Sequence, residues 1–213
     1  MENHITKIYE KACDRLKIRR MLKHQVSHKV LINIYFSFIR SVLEYADIVW
    51  DNCTLHESNL SESVQVEADR IITGLRINSS KSKLYEELGW ELLYKRREKH
   101  KRILMYKIIN GHTCTPNYLS DLVQPYAENV HNYNLRQQIS NENLRLPYCN
   151  TVSYNKSFLP STISLWNELP ASTKTCPSVE TFKKKLNSNL KKVLEYFHIG
   201  NRKENIALCQ IRN

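Results

Sequence analysis

Three short patterns in the sequence gather residues able to do chemistry. Tyr45-Ala46-Asp47 supplies the first three residues of a Tyr-Ala-Asp-Asp turn, whose paired carboxylates hold the metal ions of a phosphoryl transfer, but position 48 is Ile. One carboxylate offers too few hard oxygens for Mg²⁺ and cannot serve a two-metal displacement. Asp47 therefore reads as a helix-surface residue. His24-Gln25-Val26-Ser27-His28 has the i, i+4 histidines of a zinc-protease helix, yet Gln25 stands where the general base belongs and no third ligand suggests itself. Glu86 and Glu87 are helix neighbours, which do not face each other as an acid–base dyad must. Only 4 Gly are present and none cluster, so no loop can cradle a phosphate, and there is no G-x-S-x-G. These patterns predict a chain without catalytic residues, metal ligands or cofactors of its own.

Basic residues are the other chemical feature. Lys95, Arg96, Arg97, Lys99, Lys101 and Arg102 crowd one stretch, and Lys183, Lys184 and Lys185, with Lys191 and Lys192, crowd another. In a helix the first group leaves only a narrow seam, through Arg97, His100 and Leu104. Two readings stand: a solvated face, or a surface whose self-repulsion is relieved by a bound polyanion. Lys and Arg number 32 against 21 Asp and Glu, a net charge of +11 that favours nucleic acid as the partner.

These residues must be positioned by helices. Apolar residues at 41% and charged residues at 25% suit a globular chain, and 4 Gly with 6 Pro suit a helical one. Residues 2–19 carry Ile5, Ile8, Tyr9, Ala12 and Leu16 on one face. Met1 opens directly into this pattern, which hints at a truncated reading frame. From about Ser27 to Trp50 a central helix is expected, with Leu31, Ile34, Phe38, Val42, Tyr45 and Val49 as its stripe, widened by Ile39, Leu43 and Ile48. Thr54 and Glu57 form a capping box before a helix faced by Leu60, Val64, Ala68, Ile71 and Ile72, with Gly74 placed to end it. A short helix through Leu84, Tyr85 and Leu88 closes at Gly89, and the basic helix from Trp90 to Ile109 ends at Gly111. Pro116 opens a helical turn through Leu122. The chain from about Gln124 to Tyr154 is polar and turn-prone. Tyr133–Arg136 and Leu144–Leu146 read there as short strands or extended wrapping segments. A turn starting at Pro160 faces Ile163, Leu165 and Trp166 to a core, and Ser178 caps a last helix with Val179, Phe182, Leu186, Val193 and Phe197 on its apolar side. Trp50, Trp90 and Trp166 read as core residues.

The predicted fold is mainly α: a helical bundle over 1–123, then a C-terminal extension over 124–213 with an irregular segment, short strands and a terminal amphipathic helix. The six Cys are dispersed without a C-x-x-C pair, which argues against a zinc ribbon and for reduced thiols in the cytoplasm or nucleus. Sequons at Asn52, Asn59, Asn78 and Asn155 read as chance without a secretory signal. No apolar run approaches the length of a membrane span.

The ordered segments FIRSVLEYADIVWDNC, Val64–Ala68, Arg70–Gly74, Leu84–Trp90, Arg96-Arg97, Met105–Gly111, Tyr133–Arg136, Ser157–Ile163 and Leu165–Pro170 carry a resemblance. Together they resemble the region downstream of the palm in non-LTR retrotransposon reverse transcriptases of the Jockey-like and related animal clades, from His4-Ile5 to the helix of Phe182. The resemblance implies an RNA-directed DNA polymerase as parent. It identifies this chain as a thumb with its extension, lacking fingers, palm and endonuclease, so no catalytic residue carries over. Ser41 stands where that pattern usually has Pro, and Asp69 where it often has Ala; Asp69 would be costly if buried. A thumb holds duplex by backbone contacts. RNA or RNA–DNA duplex is thus the expected partner, through Lys95–Arg102 and Lys183–Lys185. The competing expectations are an inactive helical remnant, self-associating through apolar surface, and a protein-interaction module.

Overall fold

The computed structural model describes residues 2–75, 85, 87–125 and 142–188, and over these the chain is mainly helical. It divides into two compact units, Met1–Lys101 with Pro147–Thr162, and Arg102–Leu146 with Ile163–Asn213.

The first unit is built on α1 (Glu2–Leu22), whose Ile5, Ile8, Ala12 and Leu16 are all buried, as their spacing predicts. α1 packs chiefly against α5 (Leu55–Thr73), which supplies Val64, Ala68 and Ile71 to the same core. The Thr54 hydroxyl accepts the Glu57 amide and the Glu57 carboxylate takes the Thr54 N–H in return. Gly74, at φ 71°, closes α5 with its N–H on the Arg70 carbonyl.

The central stretch is not one regular helix. α2 (His28–Ile34) passes into a π-helical turn over Tyr35–Arg40 and returns to α at α3 (Ser41–Leu43). The chain then breaks, with Ala46 left-handed at φ 50°, before α4 (Asp47–Trp50). The buried stripe is Leu31, Tyr35, Ile39 and Leu43, and Trp50 joins it in the core. Phe38 (59% exposed), Tyr45 (70%) and Val49 (69%), expected on the buried stripe, point outward. The reason is geometric. At about 100° per residue, steps of four overshoot a straight helix by roughly 40° each and would spread those four residues over about 120°. The wider π-turn absorbs that drift and keeps them on one face.

Buried polar bonds fix the rest of the unit. Tyr35 donates to Gln65 Oε1 at 2.6 Å, and Gln65 Nε2 donates to the Glu91 carbonyl at 2.9 Å. Trp90 stacks on Tyr35 at 4.1 Å between ring centroids. Glu62 on α5 receives the Tyr85 hydroxyl and, at 3.0 Å, the N–H of Leu93, the first residue of α6 (Leu93–Ile109). A buried carboxylate thus serves as the N-cap of the basic helix, where the helix dipole favours a negative charge.

Gly111, at φ 65°, ends α6. His112 N–H reaches the Lys107 carbonyl and Gly111 N–H that of Ile108, a Schellman closure. α7 (Asn117–Leu122) follows Pro116. The first unit also holds the short α8 (Val152–Asn155).

In the second unit Tyr106 stacks on Phe182 at 4.4 Å and donates its hydroxyl to the Cys176 carbonyl at 2.5 Å. Ile163 and Trp166 of α9 (Phe158–Asn167) and Leu186 are buried in the same unit. Pro160 lies inside the first turn of α9, where no intrahelical donor is required. α10 (Ala171–Lys174) precedes the last helix, 179–188, where Ser178 Oγ accepts the Thr181 amide at 3.2 Å. Of the two forms expected for Leu144–Leu146, a short strand or an extended segment, the chain takes the extended one. Leu144 forms an isolated antiparallel bridge with Pro125, and the Asn167 side chain both accepts its N–H and donates to its carbonyl at 2.9 Å. Among the described residues no strand forms. Tyr133–Arg136, Leu84, Glu86, Lys191, Lys192, Val193 and Phe197 lie outside the described residues.

Candidate nucleic-acid interface

The basic stretch of α6 is largely committed inside its own unit. Arg97 (4% exposed) and Lys101 (3%) are buried, not surface cations. Both pair with Asp51, through Arg97 Nε at 2.5 Å and Lys101 Nζ at 2.5 Å. Arg97 also donates to Ser58 Oγ at 2.7 Å and lies over the Trp50 ring at 5.3 Å, while Lys101 donates to Ser161 Oγ at 3.0 Å. Arg96 pairs with Glu44, which also holds Arg40 at 2.8 Å. Lys99 donates to Glu91 Oε2 at 2.6 Å. In the second unit Arg102 is buried beside the Leu165 carbonyl and Glu168. Of the six, Lys95 alone has no carboxylate partner among the described residues. Carboxylates of the same protein relieve the repulsion expected from crowding.

Asp47 is also corrected by the structure. It is buried and accepts from His100 Nδ1 at 2.6 Å, so it joins α4 to α6 rather than facing solvent. That bond raises the imidazole above its ordinary pKa against the opposing effect of burial. His24 lies in a turn and His28 begins α2, so the two do not share a helical face. Among the described residues no three His, Cys, Asp or Glu gather as a metal set.

The last helix differs. Lys183, Lys184 and Lys185 are exposed, while Phe182 and Leu186 turn inward. Lys185 donates to the Ser172 carbonyl at 2.8 Å; Lys183 and Lys184 meet no carboxylate among the described residues.

A second cationic row lies in the first unit, and the sequence reading passed over it. His4, Lys7, Lys11 and Arg15 follow one face of α1 at helical steps, beside an open groove of about 380 Å³ completed by Ile8, Ser41, Val42 and Tyr45. The 4-7-11-15 spacing was the available signal, overshadowed by the denser basic run in α6. No family model, curated protein or solved structure matches this chain. The site therefore stands on geometry and charge alone.

Among the described residues, Asp69 and Arg19 are fully buried ionic side chains whose charged atoms all lack hydrogen-bond partners. Burial pushes the Asp69 carboxyl up to about 7, with Glu87 adding to the rise and Arg19 opposing it. Burial also draws the Arg19 guanidinium down to about 10, although it lies over the Tyr35 ring at 5.4 Å. Neither group lines the groove.

Proposed function

We propose that this chain is a non-catalytic helical module of a retrotransposon RNA-directed DNA polymerase, and that it holds RNA or RNA–DNA duplex through sequence-independent backbone contacts. The observation that carries the reading is the exposed Lys183–Lys184 pair, unmatched by any carboxylate among the described residues, in a chain of net charge +11. The order of motifs from FIRSVLEYADIVWDNC to Leu165–Pro170 supports the parentage. Phosphate contact is then assigned to the last helix, with Lys95 secondary, since Arg96, Arg97, Lys99, Lys101 and Arg102 are engaged elsewhere.

The test is a salt titration of binding to a labelled RNA–DNA duplex. Log affinity should fall linearly with log salt, and Lys183→Gln/Lys184→Gln should lower the slope by roughly one and a half to two. A salt-independent affinity, or none at low salt, overturns the reading. Exposed Phe38 and Val49 favour a second reading, a protein-interaction or self-associating module. It expects salt-tolerant assembly in sedimentation without added nucleic acid.

A further inference from the structure

We propose that the groove beside α1 is a binding site for single-stranded nucleic acid, with phosphates along Lys7, Lys11 and Arg15 and a base stacked on Tyr45. The assignment rests on the polyanion reading above, but it names another surface and another form of the ligand.

Three observations carry it. First, His4, Lys7, Lys11 and Arg15 line the groove in one row, with no carboxylate among its described lining residues. Lys7 and Lys11 are exposed and have no partner among the described residues, in contrast to the spent cations of α6. Second, the row has a suitable pitch. Steps of four residues advance about 6 Å along a helix, and His4 to Arg15 spans about 16 Å, room for roughly three to five nucleotides of extended strand. Third, Tyr45 is 70% exposed at the wall of that groove. A phenol ring left in water beside a cationic track is the arrangement by which single strands are held: phosphates follow the charge, and unstacked bases lie on the ring. A duplex keeps its bases paired and has none to offer Tyr45. The backbone that carries the ring is fixed: the Tyr45 carbonyl accepts Trp50 Nε1 at 3.0 Å and the left-handed Ala46 turns the chain after it.

The experiment compares the full chain with four variants by fluorescence anisotropy, using a labelled oligouridine 12-mer, the same 12-mer as an RNA–DNA duplex, and an abasic 12-mer. Lys7→Gln/Lys11→Gln should weaken single-strand binding and reduce its salt slope by about 1.4. Tyr45→Ala should weaken oligouridine binding about tenfold, leave abasic binding unchanged, and be rescued by Tyr45→Phe. All these side chains are exposed, and circular dichroism should show parent-like helicity and melting. If the groove variants bind oligouridine as the parent does while Lys183→Gln/Lys184→Gln loses duplex binding, the groove is overturned and the duplex reading stands. If Tyr45→Ala is silent, or weakens abasic and oligouridine strands alike, the single-strand assignment is overturned. If the parent binds none of the three probes, both readings fall.

Discussion

Asp69 is the residue whose chemistry most disagrees with its surroundings. It is fully buried on α5, without a hydrogen-bond partner, and its carboxyl is raised to about 7. Between the ordinary carboxylate range and that value, the folded chain keeps a proton that the unfolded chain has lost. Stability therefore falls as pH rises through this window, by on the order of a few kcal/mol. Asp69→Asn should flatten the dependence, melting higher than the parent at pH 8 and level with it near pH 4. Unchanged pH profiles in thermal melts would contradict this. His100 acts in the same direction. Its bond to Asp47 raises its pKa, so its contribution is complete below the ordinary imidazole value and is lost as pH rises through the raised one. The cost of a buried Asp69 was legible from its place among Val64, Ala68, Ile71 and Ile72. The burial of Asp47 was not, because its partner is 53 residues away.

At the scale of elements, α6 is held by carboxylates that other segments supply. Asp51 compensates two buried cations, Arg97 and Lys101. Removing it strands both, and Asp51→Ala should cost about 3–5 kcal/mol, read as a lower denaturation midpoint in urea. Glu62→Ala uncovers the Leu93 amide and the Tyr85 hydroxyl and should cost about 2–3 kcal/mol by the same measurement. A shift below 0.5 kcal/mol in either variant would show that water or a rearranged side chain takes over the lost partner's role. The helices with local signals, α1 by its apolar spacing and α5 by its capping box and terminal glycine, were readable in advance. The basic run of α6 was readable as a helix but misleading as a surface. Two of its neutralising acids, Glu44 and Asp51, lie about half a hundred residues upstream, and spacing along one helix carries no trace of them.

For the whole molecule the charge balance matters more than any one patch. The net charge is +11, and the acids Glu44, Asp51, Glu67 and Glu91 are occupied by internal cations. The uncompensated charge is therefore left to exposed lysines such as Lys7, Lys11, Lys183 and Lys184. Single-stranded RNA added at low ionic strength should raise the melting temperature, since a ligand bound only to the folded state stabilises it by mass action. The effect should vanish in high salt, where counterions replace the protein's contacts. A melting temperature indifferent to RNA at low salt would mean that this charge serves solubility alone.

The π-turn at Tyr35–Arg40 has a consequence for how this chain tolerates insertions and deletions. Removing one residue from a packed α-helix normally rotates everything after it by about 100° and exposes its core face. Here the stretch already carries one residue more than an α-turn needs. Deleting exposed Ser37 would shorten the separation of Leu31 and Leu43 from twelve residues to eleven, which returns to the same side of a straight helix within about 20°. The shortened chain should fold with the same four residues inside. An equivalent deletion in the middle of α5 should not.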